Sequence, residues 1–353
     1  MTMSDRIFTA KGSPNIALIK YWGKRDEKLI LPYNSSLSLT LSSDSVSTTT
    51  SILFSKRLKD DVLYIDGKKL DIRDEDIQER LWVLEKMREE AGVNANFLVV
   101  SRNNFPPSSG MASSASGIAT LVFAANEALG LGMSPKELSM IARQGSGSAC
   151  RSIFGGLVKW HKGERKDGSD SYAEQVFDEK YWPEIIDMVA ITSSEKKKVP
   201  SRAGMRQTVE TNPLFKSRVA SAEKRVSDAI AAYGKRDFNE LAEITMADSN
   251  EMHALMMGTR PSIRYLNDAS YSIMNIIEEL NREAGTNIAA YTFDAGPNAH
   301  IITQEEFKEE ITAALKGLRK EGRIAEMRVA GQGSGPVEVK GESLIDPKKM
   351  APK

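Results

Sequence analysis

Apolar and polar residues alternate with period two where Leu37, Leu39 and Leu41 are separated by Ser38 and Thr40. That pattern predicts a half-buried strand over residues 35–41. Residues 46–54 are rich in Val, Thr and Ile and read as its partner. The spacing then changes. Ile77, Leu81, Leu84 and Met87 recur at helical intervals within a charged stretch, predicting an amphipathic helix over 74–91. Residues 96–100 read as a further strand, 102–112 as a loop and 113–129 as a long apolar helix. Ser134 as a cap, with Pro135 in the first helical position, starts a helix over 133–143. Strands are expected at 153–161 and 188–192.

Beyond residue 200 the periodicity is mostly helical. Residues 213–233, 237–253 and 261–283 read as three helices. Two strands, 288–293 and 299–303, flank a Gly-Pro turn, and a helix over 305–318 and a last strand over 324–330 follow. The change of character near 190–200 places a soft boundary there and divides the chain into 1–192 and 193–353.

Composition narrows the function. The 353 residues carry 48 Lys plus Arg and 48 Asp plus Glu. That balance argues against a general nucleic-acid binder, which needs a basic excess, yet leaves room for a local anion site. Cys150 is the single cysteine, so no internal disulfide forms. Residues 1–10 lack the apolar core of a signal peptide, and no apolar run approaches the ~20 residues that span a bilayer. The expectation is a soluble cytoplasmic protein with no membrane or nucleic-acid partner.

Four segments carry candidate chemistry. Residues 103–117 form a Pro- and Gly-bearing loop that feeds a helix start rich in Ser. Small residues there let a phosphate approach unpaired N–H groups, although an ordinary loop with a Ser cap is the commoner meaning. Residues 145–152 place small residues before Arg151, a residue suited to gripping a carboxylate or phosphate, or else a solvated turn arginine. Lys20 lies in an apolar run, where an amine either meets an anion or snorkels to water. Asp294 ends an apolar strand before Gly296-Pro297, as a base at a cleft or as a turn residue. His161, His253 and His300 lack metal-ligand spacing and read as structural. Cys150 reads as packing, and the run Lys196 to Lys198 as a solvated loop.

These segments recur in one order and spacing with Leu31-Pro32-Tyr33-Asn34, Met246-Ala247-Asp248-Ser249-Asn250 and Gly333-Ser334-Gly335-Pro336. Together they resemble the diphosphomevalonate decarboxylase family, a branch of the GHMP kinase superfamily, nearly end to end. The resemblance implies an α+β, GHMP-kinase-like fold of two lobes. An N-terminal lobe (1–192), like a small-subunit ribosomal protein, would carry the phosphate loop. A ferredoxin-like C-terminal lobe (193–353) would carry the catalytic Asp, with the active site in the cleft between them. It implies that ATP phosphorylates the 3-hydroxyl of mevalonate 5-diphosphate, and that loss of phosphate and CO2 gives isopentenyl diphosphate. By analogy it also carries over a homodimer.

The implied roles are specific. Asp294 would orient or deprotonate the tertiary hydroxyl, Lys20 would neutralise developing charge beside it, and Arg151 would hold the substrate carboxylate. Tyr21, Lys24, Ser146 and Ser148 would bind the 5-phosphates, with Ser201, Arg202 and Met205 on a substrate-side helix start. Ser113, Ser114 and the backbone at Gly110 would bind the nucleotide phosphates, bridged by Mg²⁺. Two positions depart from the family pattern: Ala203 replaces a polar residue, and Pro107 adds a second proline to the phosphate loop. Same-family decarboxylation of mevalonate 3,5-bisphosphate without ATP, or of mevalonate 5-phosphate, is the alternative. A small-molecule kinase and a non-catalytic binding protein are further classes, against which the joint presence of Lys20, Arg151 and Asp294 argues.

Overall fold

Strand-forming and helix-forming runs separate along this chain much as their periodicities do. The computed structural model describes residues 6–105, 113–193 and 198–353. The chain opens with β1 (Ile7–Gly12), β2 (Asn15–Ile19), the ribbon β3 (Lys24–Asp26) and β4 (Leu31–Pro32), β5 (Ser36–Thr40), β6 (Thr48–Ser55), β7 (Val62–Ile65) and β8 (Lys68–Leu70). Next come α1 (Glu75–Glu90), β9 (Asn96–Asn103), α2 (Ser113–Leu129), α3 (Pro135–Gly145), a 3-10 helix (Gly147–Ile153), β10 (Leu157–Trp160), β11 (Ala173–Phe177) and β12 (Ile185–Ile191). The helices α4 (Ser201–Thr211), α5 (Phe215–Gly234), α6 (Phe238–Met257) and α7 (Asp268–Ala284) lead to the hairpin β13 (Ala289–Phe293) and β14 (Ala299–Gln304). Short helices α8 (Lys308–Ala314) and α9 (Lys316–Lys320) precede β15 (Glu326–Gly331), β16 (Val337–Glu338), β17 (Ile345–Asp346) and β18 (Ala351–Pro352).

Among the described residues the strands make three larger sheets and two ribbons. The first sheet runs β16-β1-β6-β9-β7-β8, antiparallel except where β7 lies parallel to β9. Ile52, Phe54, Phe97 and Val99 turn one of its faces onto a core shared with α1, α2 and α3. The second sheet, β11-β10-β5-β2, and the third, β13-β14-β12-β15, each turn one face into a single core with α5 and α6. Ile16, Leu18, Leu37 and Leu39 meet Ile185, Val189, Ala290 and Ile302 there, with Val226 and Leu241 between them. The other face of the third sheet packs on α7 through Ile273 and Ile277.

Local chemistry accounts for most boundaries. Asp74 caps α1 by accepting from the N–H groups of Asp76 and Ile77, and Ser134 with Glu137 forms a capping box on α3. Several expectations change, three of them near the site or its sheets. The helix expected from 261 starts instead at Asp268, where Asn267 and Ser270 form its capping box. The strand expected over 153–161 is shortened to Leu157–Trp160. Gly156 takes φ +67°, and a Cβ on it would sit 2.2 Å from the Phe177 carbonyl, so the chain turns there before entering the sheet. The strand at 35–41 is buried on both faces rather than one. Its leucines face the shared core, and Ser36 and Ser38 face the 3-10 helix, where a guanidinium satisfies their hydroxyls.

Two connections place the ends of the chain. β12 pairs with β14 and β15, so the third sheet already begins at Ile185. After β15 the chain returns to the first sheet: Gln332 bridges Leu41, β16 pairs with β1, and Ile345 is buried against Leu53, Leu98 and Val100.

Candidate active site

Lys20 follows the last residue of β2, at the point where a fully buried apolar strand ends. Its side chain is 2% exposed, and Nζ donates to Asp294 Oδ1 at 2.9 Å. Asp294 stands one residue beyond β13, and Gly296 N–H donates to its carbonyl to close the following turn. The anionic partner that an amine in an apolar run calls for therefore comes from the far end of the chain. Burial of the amine keeps the pair dry on one side, while the Asp294 side chain, 32% exposed, opens on the other.

Arg151 lies on the 3-10 helix and is buried. Nε donates to Asn15 Oδ1 at 3.2 Å and to Ser38 Oγ at 2.9 Å, and Nη1 donates to Ser36 Oγ at 2.6 Å. Nη2 makes no hydrogen bond to a described residue. The guanidinium also lies 5.9 Å from the centre of the Trp160 ring. Burial draws its pKa down, and among the opposing charges is Asp294, close enough to be felt at Arg151. The guanidinium is thus held by three neutral oxygens, and no carboxylate among the described residues is bonded to it, which favours its use on a ligand.

Tyr21 packs its ring edge-on against Trp160 at 4.7 Å. Its hydroxyl is buried and has no hydrogen-bond partner among the described residues. Burial first, and Glu27 second, raise its pKa, so it remains a neutral O–H donor. A Cβ on Gly147 would fall 2.7 Å from that ring, so only glycine allows the 3-10 helix to run this close. Lys24 is buried and ion-paired with Glu27. Arg202, in the first turn of α4, pairs with Glu79 of α1 and donates to the Gly145 carbonyl at 3.0 Å. Tyr21 feels the charges of both Glu27 and Arg202.

The remaining expected positions scatter more widely in their surroundings. Ser146 Oγ lies 3.4 Å from Ser114 Oγ, tying the 3-10 helix to the start of α2. The Ser148 carbonyl accepts from Asn15 at 3.0 Å. Ser201 opens α4, and Met205 sits in an apolar cluster with Trp22, Phe215 and Tyr265. Ser113 is the first residue of α2; Gly110, Pro107 and Lys196 to Lys197 lie outside the described residues. Cys150 is buried with its thiol pushed up to about 12 by burial, consistent with a packing role.

Two residues beside the pair had no site role in the sequence reading, Asp248 entering only within a motif and His253 only as a structural histidine. Asp248, fully buried on α6, accepts the Lys20 N–H at 2.7 Å. The signal was present: an acid at a buried position of an otherwise apolar helix face needs a cationic partner. His253, one turn further on, lies 3.4 Å from the Phe293 carbonyl. Burial first, and Lys20 second, push its pKa down to about 4, so it is neutral beside the ion pair. Between pH 6.5 and 4 the unfolded chain binds a proton that the folded chain refuses. Stability from this group is therefore complete above pH 6.5 and falls by about 3 kcal/mol as pH drops towards 4. In urea titrations across that range, His253→Gln should show a shallower loss of stability than the parent; parallel slopes would refute the assignment.

A family model described as the diphosphomevalonate decarboxylase-like N-terminal domain matches residues 12–173, and the mevalonate 5-diphosphate decarboxylase C-terminal domain matches 187–348. The chain belongs to the diphosphomevalonate decarboxylase family. The Schizosaccharomyces pombe diphosphomevalonate decarboxylase is 43% identical over 342 residues, 94% of this chain and 86% of that one. The mevalonate diphosphate decarboxylase from Trypanosoma brucei superposes with a TM-score of 0.89 at 34% identity, covering 97% of this chain and all of that one. A structure described as MDDEF in complex with MVAPP, AMPPCP and magnesium superposes with a TM-score of 0.84 at 35% identity, covering 95% and 99% of the two chains. The mixed α/β fold is that of solved mevalonate diphosphate decarboxylases. Within this decarboxylase family member, Lys20, Tyr21, Lys24 and Arg151 fall in the first matched segment, and Arg202, Asp248 and Asp294 in the second.

Proposed function

We propose that this chain phosphorylates mevalonate 5-diphosphate at its 3-hydroxyl with ATP and then expels phosphate and CO2 to give isopentenyl diphosphate. The observation that carries the reading is the Lys20–Asp294 pair at 2.9 Å, with the Arg151 charge nearby and no carboxylate of the described residues bonded to that guanidinium. Family membership and relatives described as binding MVAPP and an ATP analogue support it.

Asp294 orients the tertiary hydroxyl and takes its proton as the oxygen attacks the terminal phosphorus of ATP, whose bond to the bridging oxygen breaks so that ADP leaves with the electron pair. Lys20 fixes the reactive rotamer of that carboxylate and counters the negative charge gathering on the oxygen. Arg151 offers Nη2 to the substrate carboxylate. The C3–O bond then breaks, and phosphate departs with its electron pair. The C1–C2 bond breaks next, its electrons forming the C2–C3 double bond while CO2 leaves. Arg151 loses its hold as the carboxylate becomes neutral CO2. The Tyr21 hydroxyl, Lys24, Arg202, Ser146 and Ser148 receive the 5-diphosphate, which exchanges Glu27 and Glu79 for stronger phosphate contacts. Ser201 and Met205 shape the wall of that pocket. Ser113, Ser114 and Gly110 receive the nucleotide phosphates at the start of α2. Magnesium enters with the nucleotide as part of that substrate, spreading phosphate charge. The site is taken to lie between an N-terminal lobe of 1–192 and a C-terminal lobe of 193–353, apart from β12, which joins the later sheet, and β16, which returns to the first.

The test is direct. Purified protein is given mevalonate 5-diphosphate, 5-phosphate or 3,5-bisphosphate, with and without ATP, and CO2 is followed. Release from the 5-diphosphate only with ATP is expected. Release from the bisphosphate without ATP, and from neither of the others, overturns the reading.

A further inference from the structure

Lys20 and Asp294 each stand one residue past the end of a strand, where the ladder of hydrogen bonds no longer holds the backbone. Adjacent residues of one helix nevertheless reach both points, Lys20 directly and Asp294 through Phe293, the last residue of β13. Asp248 Oδ2 accepts the Lys20 N–H at 2.7 Å. Ser249 Oγ accepts the N–H of Phe293, the residue before Asp294, at 3.0 Å. On the next turn of the same helix the His253 ring meets the Phe293 carbonyl at 3.4 Å. The Lys20 carbonyl is pinned separately, by Asn34 Nδ2 at 3.0 Å and Arg218 Nη2 at 3.5 Å.

We propose that Asp248 and Ser249 of α6 are positioning residues, which together set the separation of the Lys20 amine and the Asp294 carboxylate. This rests on the catalytic reading of that pair.

The charges around the clamp support the assignment. Asp248 also takes Arg218 Nη2 at 2.9 Å and Arg225 Nη1 at 3.4 Å. Glu251, one helical turn on, pairs with the same two arginines. Two acids and two bases form a closed quartet, so the clamp adds no net charge beside the ion pair it holds. A buried quartet of this kind is a poor source of stability compared with apolar packing. It does supply direction: Asp248, Ser249 and Arg218 are all fully or almost fully buried, and each has few rotamers open to it. Chemistry that depends on sub-ångström placement can fall about 100-fold for a 1 Å error. A rigid element that ties together two chain ends 274 residues apart is a device for avoiding that error.

The test uses Ser249→Ala, which orphans one backbone N–H, and Asp248→Asn, which keeps an acceptor for Lys20 but unbalances the quartet. Each should lower kcat for CO2 release by about 10- to 100-fold while KM for both substrates stays within about twofold. Each is then combined with the group it positions: Ser249→Ala with Asp294→Asn, and Asp248→Asn with Lys20→Met. Because the clamp acts through those groups, its loss should cost little more in backgrounds where they are already gone. Additive losses, or lower melting temperatures with an unchanged kcat, mean a structural role and overturn the proposal. If Asp248→Asn does not fold, the Ser249→Ala cycle alone decides. If Lys20→Met and Asp294→Asn themselves leave turnover intact, it is the catalytic reading that has failed.

Discussion

Asp294→Asn should fold as the parent does and release CO2 about 1,000-fold more slowly. The magnitude follows from the usual 10²- to 10⁴-fold contribution of a positioned proton acceptor. Asparagine keeps the shape, and its amide oxygen can still accept from Lys20 Nζ, so the strand end and the following turn are retained. What is lost is basicity and a negative charge. The Lys20 ammonium, 2% exposed, then faces a neutral partner. The cost in stability stays below that of a fully buried broken pair, because the Asp294 side chain is one-third open to water, which screens the loss. Turnover under saturating substrate and a thermal melt of the same preparation check the two halves of this expectation. A kcat within tenfold of the parent would remove Asp294 from the chemistry.

Arg151→Gln should reduce kcat/KM for decarboxylation by about 100- to 1,000-fold, the usual loss when one member of a desolvated charged pair is truncated. The guanidinium is held in place by Ser36, Ser38 and Asn15, all uncharged in that contact. Among the described residues no acid is bonded to that charge. Glutamine cannot reach all three oxygens, so some stability is lost with the activity, at about 1–3 kcal/mol for each buried hydroxyl left alone. The distinguishing measurement is ADP formation alongside CO2. If Arg151 grips the carboxylate, both fall together at low substrate, while nucleotide affinity measured without mevalonate 5-diphosphate is unchanged. A variant that loses nucleotide binding but keeps its decarboxylation ratio would place Arg151 elsewhere in the mechanism.

Much of this was readable before the fold was known, for identifiable reasons. The serines and leucines of β5 alternate because a strand turns successive side chains to opposite faces, and Ser134 caps its helix through contacts only three residues long. Lys20 stood out because an amine in an apolar run is expensive, but the sequence left two answers open. Its partner is 274 residues away, and no local spacing can carry that relation. Asp248 was visible only as part of a motif. Its meaning lies in Arg218, on the neighbouring helix, and in a backbone N–H, which has no sequence signature at all. The 3-10 helix around Arg151 looked like a flexible turn because Gly and Ser dominate it. Their smallness in fact lets it pack against Tyr21 and Trp160. The two-residue strands after Gln332 are too short to show any period.

Those last strands bear on how the molecule is made. The sheet begun by Ile7–Gly12 gains an edge from Val337–Glu338, and Ile345 seals the side facing away from the helices. A ribosome must therefore finish nearly the entire polypeptide before its earliest sheet is complete. Closing that sheet waits on a distant pairing, which slows folding relative to local contacts. Cutting the gene at its compositional midpoint would yield an amino-terminal fragment with a raw β edge and an uncovered apolar surface, prone to stick to its own kind.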